Sequence, residues 1–459
     1  NCIKTIGKMS NNLIRKPKVS VGQENPYKRL GFVQNPFPVN PSVVPYSDDI
    51  RVNGSIFLES IRQEEIKAFH EHIVNSPNQI GLMMDYAAYK GRGIGKTAFL
   101  NYMKKSINKD LGDEISDGKS VIYAVYVAPS ADNRNRTLSQ VAHSIFTSMH
   151  KEGLFLTVFC RLRALSGLLD DVIDETITES NYEETIANDA WLCDKGIDVS
   201  AVNSFVCKEL VKAGLVDEEV SLFSGTYTRF TEALSINPSE FFWKREGLFF
   251  LFEKVEKLLK AAMFTNCIIL LDEAEKMIQY QNFNERRAFC ENLRTYFIDG
   301  NNSNAIDGFF KILLTIHPNS QELLMPHWAA AGLDRFCSLG GNTSSENTIF
   351  FKPMSNEPNM IRALAEIYLK ASRINKTDSS ISPFTQEAID YTMEKSAFIP
   401  GRFLKYLYIL IEKAIRNNWT EIDKKQVEMT LDEGTNYLAL EKPVENASVE
   451  ELPPTKVQL

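Results

Sequence analysis

The sequence predicts a parallel α/β sheet covered by helices on both faces and followed by a helical lid. Three observations predict it. Five short apolar runs alternate with helical patterns. A glycine-rich loop, Y-K-G-R-G-I-G-K-T at 89–97, joins the first run to a helical pattern. From residue 356 onward the apolar spacing is helical throughout.

In order, residues 1–54 are polar and proline-spaced and read as an extended N-terminal arm, with the apolar residues of 30–37 docking part of it. Residues 55–74 show helical spacing through Ile61, Ile66, Phe69 and Ile73. The strand candidates are 80–86, 121–128, 266–272, 309–316 and 347–352, short runs rich in β-branched and aromatic residues. Residues 97–107 and 137–149 are helical between the first three. The first part of the α/β core is placed at 55–150 and the second at 246–353. The long interval from Lys96 to Asp272 makes 151–245 a helical insertion. Four helices, 361–371, 385–394, 401–417 and 423–431, form a lid within 354–435. Residues 436–459 carry prolines and acids with little apolar content and are expected to be disordered.

Composition narrows the function. At 459 residues, 44% hydrophobic and 24% charged, the chain has the makeup of a globular protein with two or three domains. Its net charge of −8 argues against a general nucleic-acid binder, though a local basic face is compatible with it. No apolar run approaches the ~20 residues of a membrane span, so no membrane partner is expected. Seven scattered cysteines with no C-x-x-C pair, and no secretory pattern, predict a reduced cytoplasmic setting without a zinc site.

The loop carries the first chemistry. Gly91, Gly93 and Gly95 leave the backbone bare, so successive amides can turn toward phosphate oxygens. Lys96 can reach the β- and γ-phosphates, and Thr97 offers its hydroxyl to Mg²⁺. The phosphate-binding set is therefore Gly91, Arg92, Gly93, Ile94, Gly95, Lys96, Thr97 and Ala98, at the start of a helix whose dipole favours anions. The pattern G-x-x-x-x-G-K-[ST] wants glycine at position 90, where this chain has Lys90.

A second motif supplies carboxylates. In I-I-L-L-D-E (268–273) a buried strand places Asp272 at its end, where it can hold Mg²⁺ through water. Glu273 can orient or deprotonate the attacking water. A strand lying between the loop strand and the acidic strand would face the γ-phosphate with its polar end. In I-L-L-T-I-H (312–317) His317 is the first candidate sensor and Thr315 the second. Arg402, at the start of a lid helix, can reach back to the nucleotide. An arginine finger from a neighbouring copy would come from a loop or helix end, with Arg335 and Arg294 the candidates and Arg286–Arg287 behind them.

The ordered set of loop, acid pair, polar strand end and lid arginine resembles the AAA+ ATPases. The loop is similar to the Y-G-P-R-G-T-G-K-T form of the origin-recognition/Cdc6-type branch. More narrowly, 270–300 (L-L-D-E-A-E-K-M through N-L-R-T-Y-F-I-D-G) and R-Q-E-E-I at 62–66 resemble ATP-binding proteins of bacterial BREX-type phage-defence islands. The resemblance implies a five-stranded parallel AAA+-like sheet and ATP with Mg²⁺ as ligands. It implies Lys96 and Thr97 on phosphate and metal, Asp272 and Glu273 on metal and water, and His317 and Arg402 as sensors. It also implies assembly as a homo-oligomer or with other subunits of a defence complex, with double-stranded DNA a further candidate partner. Two functions follow. One is an ATPase that drives assembly or remodelling on DNA or partner proteins. The other is a slow or non-hydrolysing switch that recruits an effector such as a nuclease or helicase.

Overall fold

The computed structural model describes residues 25–433 except 46, 86–92, 110–120, 130–135, 174–176, 178–180, 182, 218–226, 235–245, 301, 340–346, 353–357 and 378–379. Lys90, Gly91 and Arg92, and the tail at 436–459, lie outside the described residues. Contacts divide the chain into two units. One comprises Pro41–Met360 with Phe398–Arg402; the other comprises Asn1–Asn40, Ile361–Ala397 and Phe403–Leu459.

The first unit is the expected α/β body. Strands β1 (Ile80–Asp85), β2 (Val121–Val127), β3 (Phe264–Leu271), β4 (Phe310–Ile316) and β5 (Thr348–Phe351) form one sheet in the order β2-β3-β4-β1-β5. Every pairing is parallel. Parallel strands need crossovers, and helices provide them: α1 (Gln63–Phe69) precedes β1, and α2 (Lys96–Asn108) leads to β2. Between β2 and β3 come α3 (Leu138–Lys151), α4 (Leu154–Ala164), α5 (Asp189–Asp194), α6 (Val199–Lys212) and α7 (Tyr227–Leu234). Then α8 (Glu246–Phe249) runs through π-helical Phe250–Val255 into α9 (Glu256–Ala261). Helices α10 (Ala274–Ile278), α11 (Phe283–Phe297) and α12 (Ser303–Asp307) join β3 to β4, and α13 (Pro318–Ala330) follows β4.

Side-chain alternation along the strands splits the core in two. Met83, Ala124, Tyr126, Ile268, Leu270 and Leu313 pack with Phe69, Phe99, Leu100 and Met103 on the α1–α2 face. Leu82, Tyr123, Val125, Ile269, Leu271, Ile312 and Leu314 pack the other face, against residues of α3, α9, α11 and α13. All seven residues of β4 are buried, which is why it reads as a continuous apolar run. The one lysine in it, Lys311, donates to the carbonyls of Ile73, Val74 and Ser76 at 3.1, 2.9 and 2.7 Å. The first two carbonyls end the π-helical turn His70–Val74 and the third follows it, so the ammonium caps the turn.

Residues of α4, α6 and α7 (Phe155, Phe159, Leu162, Val206, Leu210 and Phe230) belong to the same core cluster as the second sheet face. Arg163, fully buried, fastens this region by donating to Ile186 O at 2.8 Å, Asp189 at 2.6 Å and Asn203 at 2.8 Å.

The second unit is built on α14 (Pro358–Ser372), α15 (Gln386–Lys395), α16 (Pro400–Asn417) and α17 (Lys424–Glu433). Its division from the first falls within α14 and, at Arg402/Phe403, within α16. Residues 25–40 are part of this unit. The Tyr27 hydroxyl and the Asn35 amide donate to Glu412 at 2.5 and 2.9 Å, and Phe37 lies against Tyr368 and Phe384. Among the described residues, no helix is long and apolar enough to cross a membrane.

Candidate functional site

The site forms where β1, β3 and β4 end. The loop is described from Gly93. Gly93 and Gly95 stand at φ +94° and +100°, a left-handed backbone that suits glycine. Ile94 between them is buried and anchors the turn. Its carbonyl accepts from the buried Arg62 at 2.7 Å. The same guanidinium donates to Glu65 at 3.0 Å and Lys352 O at 2.6 Å, and lies 4.0 Å over the Phe351 ring. Arg62 thereby ties α1, the loop and the end of β5 together. Gly95 starts α2, placing Lys96, Thr97 and Ala98 in the first helical turn.

Asp272 follows the last residue of β3 and is buried. Its Oδ2 accepts from the Thr97 hydroxyl at 2.6 Å and the Tyr126 hydroxyl at 2.9 Å. Its Oδ1 accepts from the Thr315 hydroxyl at 2.9 Å and the Glu273 amide at 2.9 Å. Thr315 Oγ1 in turn accepts from the Glu273 amide at 2.7 Å. A buried carboxylate is tolerated here because hydrogen bonds replace its water.

Glu273 holds φ +51°, uncommon for a residue with a side chain, while its amide is fixed by Asp272 and Thr315. Its carboxylate is half-exposed and paired with Lys276. Glu275 stands near Lys96. Burial raises its carboxyl above the usual value, Lys96 opposes this, and Asp272 and Glu273 add to it.

Strand β4 does lie between β1 and β3, as the polar strand-end argument requires. Of its two candidates, Thr315 touches Asp272. His317 begins α13, where its Nδ1 accepts from the Asn319 amide at 3.3 Å. Arg402 lies in the first turn of α16, in the same unit as the sheet. Beside it the Gly401 amide donates to Gly93 O at 3.0 Å. Arg335 is exposed in the turn Leu333–Arg335. Arg294 is engaged locally, donating to Asp299 at 2.7 Å and Ala331 O at 2.8 Å. Arg286 donates to Ile278 O at 3.2 Å, and Arg287 to Glu291 at 2.7 Å.

Sequence reasoning missed Tyr126, Arg62 and Glu275. Tyr126 had a signal: it is the last residue of β2 on the α2 face, and a buried tyrosine hydroxyl needs a partner.

The donor set suits Mg²⁺. Thr97 and Asp272 present hard oxygens at one point, and Mg²⁺ takes few protein oxygens while keeping several waters. Among the described residues no cluster of three or more His, Cys, Asp or Glu could hold a metal ion.

Together the fold and site define an α/β sheet with a glycine-rich loop, a helix start and a buried acid converging at the strand ends. No family model and no curated protein matches the chain, so the narrower BREX resemblance finds no support there. Solved structures similar to it include the following two. One is the Aeropyrum pernix ORC2 protein in ADPNP–ADP complexes, at 11% identity and TM-score 0.39, covering 86% of this chain and 69% of that one. The other is Drosophila ORC bound to DNA, at 12% identity and TM-score 0.36, covering 93% and 70%. At these TM-scores neither likeness bears on what the chain binds or does.

Proposed function

We propose that the chain binds Mg²⁺ and ATP at this site and hydrolyses ATP to ADP and phosphate. The observation that carries the reading is the 2.6 Å hydrogen bond from Thr97 to Asp272. It joins the G-K-T loop to the D-E strand end at a single point.

Each residue then has a role. The amides of the loop and of the first turn of α2 cradle phosphate oxygens, with the helix dipole behind them. Lys96 neutralises β- and γ-phosphate charge. Thr97 gives its hydroxyl proton to Asp272 and so keeps its lone pairs free for the cation, whose positive charge when bound offsets that on the phosphates. Glu273, released from Lys276, accepts a proton from the attacking water. Thr315 fixes Asp272 and the Glu273 amide. His317 and Arg402 sense the γ-phosphate, and Arg335 is the better-placed finger candidate because Arg294 is engaged locally. Hydrolysis would drive assembly or remodelling on DNA or partner proteins, within an oligomer or a larger complex. The proposal of an anti-phage role rests on the resemblance of the residue strings alone.

A second reading is favoured by the Glu273–Lys276 ion pair, which engages the carboxylate of the candidate base. The protein would then be a slow switch that retains nucleotide and recruits an effector. ATP binding and phosphate release, measured alone, with double-stranded DNA and with candidate partners, separate the two. Stimulated turnover supports the motor, and retention without turnover supports the switch. Lys96→Ala should abolish nucleotide binding; unchanged binding would remove the site from consideration.

A further inference from the structure

We propose that the Tyr126 hydroxyl bars Asp272 from ligating a divalent cation directly, so that Asp272 acts on the cation through water and the site selects Mg²⁺. The inference rests on the reading that Mg²⁺ and ATP bind here.

An ionised carboxylate offers about four acceptor positions. Those of Asp272 are matched by four donors: Thr97, Tyr126, Thr315 and the Glu273 amide. Two of these donors share Oδ2, the oxygen on the loop side. Thr97 has its own reason to be there, because its oxygen is the candidate cation ligand. Tyr126 reaches the same oxygen from the neighbouring strand. It is buried, and β2 holds it in register beside Leu270 of the acidic strand. Its proton takes a lone pair of Oδ2 that would otherwise face a cation next to Thr97.

The consequence follows from cation chemistry. Mg²⁺ dehydrates reluctantly and keeps several waters, so an acid that can offer only water-mediated contact still serves it. Ca²⁺ accepts carboxylate oxygens directly in flexible geometry, and Mn²⁺ also binds carboxylates well. A saturated Asp272 gives these ions no added hold. Tyr126 is thus a positioning residue that acts through Asp272.

The test uses the full chain and Tyr126→Phe, which removes one oxygen and keeps the ring in the core. Mn²⁺ binding without nucleotide is read by electron paramagnetic resonance. Affinity for a fluorescent ATP analogue is read in Mg²⁺, Ca²⁺, Mn²⁺ and chelator. The wild type should bind Mn²⁺ weakly without nucleotide, and Tyr126→Phe should bind it on the order of 10-fold more tightly. The preference of nucleotide binding for Mg²⁺ over Ca²⁺ should fall by a similar factor. Identical cation profiles in the two proteins would overturn the inference and leave nucleotide binding intact. Tight nucleotide-free Mn²⁺ binding by the wild type overturns it without recourse to the variant. A wild type that binds no nucleotide with any cation overturns the proposed function, and this inference with it.

Discussion

The amide of Gly401 donates to the carbonyl of Gly93 at 3.0 Å, joining the start of α16 to the glycine-rich loop by a backbone hydrogen bond. A Cβ on Gly401 would stand 3.2 Å from both Cα and O of Gly93. At an open helix start, Gly→Ala stabilises by about 0.4–1 kcal/mol. Here the added atom meets main chain, which no rotamer change can clear. Gly401→Ala should therefore destabilise, by about 1–3 kcal/mol, and weaken nucleotide binding. Chemical denaturation and nucleotide titration check this; a variant more stable than wild type would contradict the contact.

Thr315 and His317 make opposite predictions. Thr315→Val leaves the shape of β4 but removes a donor to Asp272 and an acceptor for the Glu273 amide. The expected cost is about 1–3 kcal/mol of stability, with a large loss of phosphate release. His317→Ala removes one helix-start hydrogen bond, an effect of about 1 kcal/mol, unless His317 also serves as sensor. Comparing phosphate release in the two variants ranks them. A loss confined to His317→Ala would make the histidine the strand-end residue on which turnover depends and leave Thr315 a structural role.

Removing Arg62 should be severe. Arg62→Ala strands Glu65 in a buried position and leaves the carbonyls of Ile94 and Lys352 without this donor. The expected loss is about 3–5 kcal/mol, read from the urea midpoint. Lysine cannot reproduce three directed donations and a ring contact, so Arg62→Lys should rescue little of it. A near-neutral Arg62→Ala would mean the loop is held by other contacts.

His327 predicts an acid-sensitive step. It is buried on α13 against the Phe283 ring. Burial, and then the cations Arg286 and Arg287, hold its imidazole below the usual value. The native state therefore favours the neutral ring, while the unfolded chain takes up a proton near pH 6.5. Its contribution is full above that pH and falls as pH drops through 6.5 toward the lowered native value. His143, lowered by burial alone, adds to the same slope. In His327→Gln the urea midpoint should depend less on pH between about 5 and 7. An unchanged slope would place the effect elsewhere.

The sheet was legible because parallel strands buried on both faces must be apolar throughout, and all five runs became strands. That the G-K-T string and the D-E string belong together was legible from the pairing of the two motifs, and Thr97 does meet Asp272. The choice between Thr315 and His317 was not, because spacing along β4 does not say which polar group meets an acid on the next strand. Tyr126 was hidden inside an apolar run, where a tyrosine reads as core until its hydroxyl is placed. Gly401 and Gly93 are far apart in sequence, and a backbone contact leaves no side-chain signature. The helices within 151–245 read as an insertion, and spacing alone does not say that Phe155, Phe159 and Phe230 pack in one cluster with the sheet.

The central claim is that Glu273 turns a nucleotide-binding site into a hydrolytic one. The most direct measurement is ATP binding and phosphate release by wild type and Glu273→Gln side by side, with Mg²⁺. Both proteins should bind ATP, and only the wild type should release phosphate. Phosphate release by Glu273→Gln at the wild-type rate would contradict it, as would a wild type that does not bind ATP.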